Sequence, residues 1–299
     1  MNLANRLKQW LKMRIEALPF INVRIEQLKS LYVQIGHYYS PIPSLEDLKR
    51  AKTHDSNEPQ ILGIDWNRDE QIGLLENSKK YYEELPWITD NSQLRYTFEN
   101  DMYSYSDGIF FYLILRNYQP RQIIEIGSGW TSGLILDTAE RCNLKIDLQC
   151  IEPFPDRLLS VTRKEDNYEL IQDIVQNVPL SFFDRLGNQD VLFIDSSHVT
   201  KAGGDVNYIY FEILPRLKNG VLIHVHDIHK NFEYPATWMD QGRAWNEAYH
   251  LRALLSDSNR YRIILASDYI VNQHNSWLQH NMPLCLNNSG GSIWFQVNE

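Results

Sequence analysis

Two stretches concentrate side chains that hold metal ions or move protons. They are Asp190-Val191-Leu192-Phe193-Ile194-Asp195-Ser196-Ser197-His198 and Val221-Leu222-Ile223-His224-Val225-His226-Asp227-Ile228-His229. In each, an apolar run suited to a buried strand ends in carboxylates and imidazoles. Ligands of parallel α/β sheets lie beyond the carboxyl ends of the strands, so Asp195, His198, His226 and Asp227 are expected to converge on one crevice. An imidazole titrates near neutral pH and suits proton transfer. His224 sits inside the apolar run and reads as a hydrogen-bonded core histidine.

A third stretch, Ile123-Ile124-Glu125-Ile126-Gly127-Ser128-Gly129-Trp130-Thr131-Ser132-Gly133, is a strand entering a glycine turn and then a helix. Gly127 and Gly129 lack a Cβ, so the chain can bend tightly there and a nucleoside-like ligand can lie against Gly127, Ser128 and Gly129. A dinucleotide fingerprint asks for a third glycine where Ser132 stands, which argues against NAD. Glu125, two residues before the first glycine, is placed to meet the amine-bearing part of a cationic cofactor.

Such groups need a frame to bring them together. Apolar runs at 123–126, 148–151, 170–171, 191–194 and 221–225, separated by helix-length segments, predict parallel strands covered by helices on both faces. Two further strands are expected at 262–266 and 292–297, the last opened by Gly290-Gly291. Helical periodicity covers 70–85 and 107–118, the latter with Ser106 or Asp107 as N-cap and Pro120 beyond its end. Residues 40–60, with Pro41, Pro43 and Pro59, read as a connecting loop. In residues 1–32, Leu3, Leu7, Leu11, Ile15 and Leu18 recur at helical spacing among six basic and two acidic side chains. This is an amphipathic helix that packs on its own domain, lies on an anionic membrane surface or pairs with another subunit, a homo-oligomer included.

The 299 residues, 43% of them hydrophobic, suffice for one large domain and an appendage, and the net charge of −9 argues against a nucleic-acid binder. Cys142, Cys150 and Cys285 form no CxxC pair, as suits reduced thiols in a cytoplasm. No run is long enough to span a bilayer, so a cytoplasmic protein is expected, in solution or peripheral to a membrane.

The glycine turn, with an acid, one apolar residue and then G-x-G, resembles the first motif of class I S-adenosylmethionine-dependent methyltransferases. Together with IEPFP, DVLFIDSSHV, DVNYIYFEILPRL, VHDIHKNFEYP and GRAWNEAYHLRALL, the stretch from about Tyr103 onward resembles the bacterial methyltransferase-domain-24 group. The resemblance implies a Rossmann-like, seven-stranded, mostly parallel α/β sheet over 101–299, preceded by a helical N-terminal extension over 1–100. It implies S-adenosylmethionine as cofactor, held by Glu125, Gly127, Ser128, Gly129 and Asp195, with Glu152 on the ribose hydroxyls and Asp173 near the adenine. The pattern of Asp195, His198, His226 and Asp227 is similar to that of metal-dependent O-methyltransferases. Carried over, Asp195, His226 and Asp227 hold a divalent cation, and His198 beside Asp195 acts as general base toward a hydroxyl of a small-molecule or saccharide acceptor. The nitrogen of His226 favours a borderline ion over Mg²⁺. Tyr234, Trp238 and Trp245 belong to an aromatic loop above the site.

Two other readings stand beside this one. His224, His226, Asp227 and His229 are arranged somewhat as in metal-dependent hydrolases, although the metallo-β-lactamase pattern H-x-H-x-D-H places its acid differently. A non-catalytic scaffold that retains the fold is the other.

Overall fold

A computed structural model describes residues 31–53, 61–88 and 93–298. The chain divides into two compact units, one ending at His54 and the other beginning at Asp55. The amphipathic stretch expected over 1–32 lies outside the described residues but for its last two. In the first unit, residues expected to form a loop instead make helix α1, Leu45–Thr53. Ser44 Oγ accepts the Asp47 N–H at 3.1 Å and Asp47 Oδ2 accepts the Ser44 N–H at 2.9 Å, a reciprocal cap that offsets the neighbouring prolines.

The second unit opens with helix α2, Arg68–Tyr82, and helix α3, Tyr105–Tyr118. The stripe Gln71, Leu75 and Ser78 of α2 is buried, and Gln71 Oε1 accepts the Ala266 N–H at 2.9 Å. Further along, Arg95 ion-pairs with Asp137 and Asp166 in a nearly dry setting. These ties join α2 and the segment around Arg95 to the sheet within that unit. Helix α3 is buried from Ser106 to Leu115, the pattern of a helix enclosed on all sides. Its N-cap is Ser104, not Ser106 or Asp107; the Asp107 carboxylate turns inward and has other partners.

Strands follow at β1 Gln122–Ile126, β2 Asp147–Ile151, β3 Glu169–Ile171, β4 Val191–Ile194, β5 Leu222–Val225, β6 Tyr261–Ala266 and β7 Ile293–Val297, in the order β3-β2-β1-β4-β5-β7-β6. The first five pair in parallel, and β7 runs antiparallel to both β5 and β6. Every residue of β4 and β5 is buried, which is why those runs are apolar but for His224. Helix α4, Trp130–Cys142, and helix α5, Asp156–Val161, follow β1 and β2. Between β3 and β4 the chain makes only 3₁₀ turns, at Val175–Asn177 and Leu180–Arg185, so the helix alternation is incomplete there. Among the described residues no helix is long and apolar enough to cross a membrane.

The order in which successive strands are added reverses between β1 and β4, and the crevice of such a fold opens above those two strand ends. Register lines up what stands there. Ile126 pairs with Ile151 and Ile194, and Ile194 with Val225. The next residues, Gly127, Glu152, Asp195 and His226, therefore leave the sheet side by side.

Candidate active site

A cavity of about 530 Å³ opens at these strand ends, lined by Gly127, Ser128, Gly129, Glu152, Asp195, His198, His226 and Asp227, and on its outer side by Trp238, Arg243 and Trp245. Gly127 adopts φ +83, and a Cβ there would lie 1.9 Å from the carbonyl oxygen of Asp195. The turn thus passes flush against the end of β4, which only glycine permits. Glu152 is fixed at the cavity wall: Oε2 accepts the Ser128 N–H at 3.1 Å and Oε1 the Phe154 N–H at 2.8 Å.

Glu125 and Asp173 are not on the lining. Glu125 is fully buried beneath the turn, where the hydroxyls of Thr131 and Ser132 donate to its carboxylate. Asp173 is exposed, and its Oδ1 accepts the Ile174 N–H and the Asn177 side chain, both at 2.8 Å, capping a 3₁₀ turn. Burial raises the Glu125 carboxyl from 4.5 to about 7, against the lowering effect of Ser132 and Thr131. The folded chain then keeps a proton that the unfolded chain releases from about 4.5 upward, so Glu125 costs stability as pH rises through that window. Glu125→Gln is expected to remove this slope. Thermal unfolding at both ends of the window should show the wild type losing about 3 kcal/mol relative to the variant; parallel pH profiles would refute a neutral buried carboxyl.

His198 and Asp227 both hold left-handed backbone, φ 59 and 58, at strand ends, an uncommon conformation for residues other than glycine that accompanies function more often than chance. The His198 imidazole is buried. Nδ1 lies 2.9 Å from Glu247 Oε2, and Nε2 lies 3.3 Å from both Asp195 Oδ1 and Asp227 Oδ2. The His198 carbonyl receives the N–H groups of Asn246 and Glu247 at 3.0 and 3.2 Å, docking the start of helix α6, Glu247–Leu255. Burial alone would lower the His198 pKa, but Asp195, Glu247 and Asp227 raise it to about 10. His226 Nδ1 lies 3.5 Å from Asp195 and Nε2 3.6 Å from Asp107; despite burial, Asp227 and Asp195 push it well above its usual range. Asp195 is held low against burial by His226 and His198.

Ligand atoms of Asp195, His198 and Asp227 all lie within 4.8 Å of one another. His226 touches this group rather than completing it. Four carboxylates, Asp107, Asp195, Asp227 and Glu247, face two imidazoles, an excess of negative charge that a divalent cation would balance. The His224, His226, Asp227 and His229 set does not share a centre. His224 is fully buried, stacks on Phe193 at 3.8 Å and meets the Ser292 hydroxyl at 3.0 Å. His229 faces Asp268 at 3.9 Å.

Sequence reasoning missed Asp107 and Glu247. Asp107 accepts the N–H groups of Gly291 and Ser292 at 3.0 Å while facing His226. Burial would raise its carboxyl, yet contacts with His226 and Ser292 hold it at about 2. A signal existed in Gly290: with φ +69 it lets the β7 entrance close on α3, a Cβ there falling 2.4 Å from Asp107 Oδ1. Glu247, 0% exposed, left no such trace. Of the three loop aromatics, Trp238 and Trp245 reach the cavity, whereas Tyr234 is buried and accepts the Ala248 N–H at 3.1 Å.

This strand order, with a glycine turn after β1 and carboxylates after β2 and β4, defines the class I methyltransferase fold. The chain belongs to the methyltransferase-domain family of that class, whose pattern matches residues 124–228. An uncharacterized protein of Archaeoglobus fulgidus is 35% identical over 161 residues, spanning 50% of this chain and 72% of the relative. Among solved structures, the plantazolicin methyltransferase BamL, in complex with a triazolic desmethylPZN analog and SAH, is 15% identical over 78% of this chain and 98% of its own, with a TM-score of 0.42. SAH-bound methyltransferase PaMTH1 of Podospora anserina is 15% identical over 84% of this chain and 93% of its own, with a TM-score of 0.41.

Proposed function

We propose that the protein transfers the methyl group of S-adenosylmethionine to a hydroxyl of a small-molecule or saccharide acceptor, with His198 taking the hydroxyl proton. The observation that carries this reading is that Glu152 and His198 face one cavity floored by the Gly127 to Gly129 turn. Each Glu152 oxygen has one backbone N–H, which leaves lone pairs on both for a vicinal diol such as the ribose. The Nδ1–H of His198 donates to Glu247, so Nε2 is the nitrogen turned toward the cavity; a cation on Asp195 and Asp227 would offset the carboxylates that hold the imidazole protonated and leave the Nε2 lone pair free to take a proton. As the acceptor oxygen bonds to the methyl carbon, its proton passes to Nε2 and the sulfonium leaves as a neutral thioether. The indoles of Trp238 and Trp245 cover the outer side and exclude water.

Asp195 and Asp227, with His226 beside them, would hold a divalent cation, and the charge excess among these groups fits one. When bound, it would supply Lewis acidity that lowers the pKa of the acceptor hydroxyl. The Nε2 lone pair of His198 serves one purpose at a time, and this reading reserves it for the proton.

Calorimetry with S-adenosylhomocysteine tests the cofactor assignment. Micromolar binding is expected, weakened about tenfold or more in Glu152→Gln, since a carboxylate accepting from a diol is worth more than the neutral amide. A folded wild-type chain without measurable binding would end the reading.

A further inference from the structure

The mouth of the cavity carries a cation to which methyl transfer gives no task. The exposed Arg243 guanidinium lies 4.7 Å from the ring centre of Trp238 and 4.8 Å from that of Trp245. The two indoles meet edge to face, 5.4 Å apart at 71°, and form a corner that fixes the guanidinium. Arg243 Nε donates to Gln241 at 3.0 Å, and among the described residues no carboxylate pairs with this side chain. Trp245 also covers His198, ring centre to ring centre at 4.6 Å. The guanidinium and the proton acceptor therefore share one indole.

The other charges on the lining sharpen the point. Arg157 lies at the opposite end: a Cβ on Gly129 would fall 2.8 Å from its Cδ, so it rests on the cofactor turn. The acidic side chains of the lining are Asp101, Glu152, Asp195 and Asp227. An anionic acceptor would be repelled by that wall unless a cation received it on the outer side. A neutral acceptor needs no arginine there. A guanidinium held flat, with its terminal N–H groups unengaged, is a preorganised bidentate site for a planar or tetrahedral oxyanion.

We propose that Arg243 clamps an anionic group of the acceptor, a carboxylate or a phosphate ester, carried about one ring's width from the hydroxyl that is methylated. The identity of that hydroxyl rests on the methyl-transfer reading; the clamp itself rests on Arg243, Trp238 and Trp245. The acceptor class is then an acidic or phosphorylated sugar, or a ring of like size.

Saturation-transfer NMR titrations of the full chain, with and without S-adenosylhomocysteine, test this with glucose, glucuronate and glucose 6-phosphate as probes. At least one anion is expected to bind about tenfold or more tightly than glucose, and which one gains identifies carboxylate or phosphate as the source. In Arg243→Gln the preference is expected to fall below about threefold, with S-adenosylhomocysteine affinity unchanged. Equal affinities for the three probes, a preference that survives Arg243→Gln, or no saturable response to either anion overturns the clamp. A chain that fails to bind S-adenosylhomocysteine yet shows the Arg243-dependent preference would instead refute methyl transfer and leave the clamp in place.

Discussion

His198→Ala is expected to lower methyl transfer by about 10²- to 10⁴-fold, the usual contribution of a positioned general base, with S-adenosylhomocysteine affinity nearly unchanged. The separation follows from where each group sits. The proposed nucleoside contacts come from Gly127, Ser128, Gly129 and Glu152, just past the ends of β1 and β2, whereas His198 follows β4 and is anchored from the far side by Glu247 and Trp245. Truncation leaves the buried Glu247 carboxylate without its imidazole, a cost of about 1–3 kcal/mol in stability, so turnover is to be normalised to folded protein. Titration with Mn²⁺ makes the outcome specific. Retained ion affinity with lost turnover supports the proton role, whereas loss of both places the Nε2 lone pair on a metal. Equal loss of turnover and S-adenosylhomocysteine affinity would show that His198 merely holds the cavity together.

The strands were legible because burial on both faces demands apolar residues, and β4 and β5 answer with Val-Leu-Phe-Ile and Leu-Ile-His-Val, the one polar residue, His224, being hydrogen-bonded to Ser292. The crevice was legible for the same reason, since a run that must be buried has its polar residues pushed to its end. What could not be read is pairing across long separations. Glu247 meets His198 from 49 positions away, and nothing in the composition of α6 marks one glutamate as the partner of a distant imidazole. Asp107 misled as an N-cap because helix-start preferences describe local hydrogen bonds, while its carboxylate was claimed by Gly291 and Ser292. Side-chain direction was equally hidden. Glu125 and Glu152 both belong to strand ends, yet Glu125 lies within β1 and points under the turn, and Glu152, one residue past β2, faces the cavity. Helix α1 was missed although Ser44 and Asp47 carry a capping spacing, since prolines nearby drew the reading toward a loop.

Gly127→Ala is expected to be the most damaging single methyl group that can be added to the turn. The left-handed backbone at φ +83 is strained for any residue with a side chain, and the new Cβ would fall 1.9 Å from the Asp195 carbonyl oxygen. That oxygen is backbone at the end of a fully buried strand, and the Asp195 N–H is bonded to Ile126 at 2.8 Å, so neither side of the clash can give way alone. Together, strain and overlap should cost about 3 kcal/mol or more, which for a unit of this size lowers Tm by roughly 10 °C. Gly129→Ala supplies the control. Its Cβ would meet the Arg157 side chain at 2.8 Å, an aliphatic stem free to swing aside, so Tm should change little. Because relief of the Gly127 clash moves Asp195 away from the turn, the remaining folded Gly127→Ala protein should also bind S-adenosylhomocysteine about tenfold or more weakly. Thermal unfolding and calorimetry on the two variants decide the matter: equal Tm values would mean that contact between the turn and β4 does not depend on the missing Cβ at 127, and the geometry assigned to the cofactor floor would fall with it.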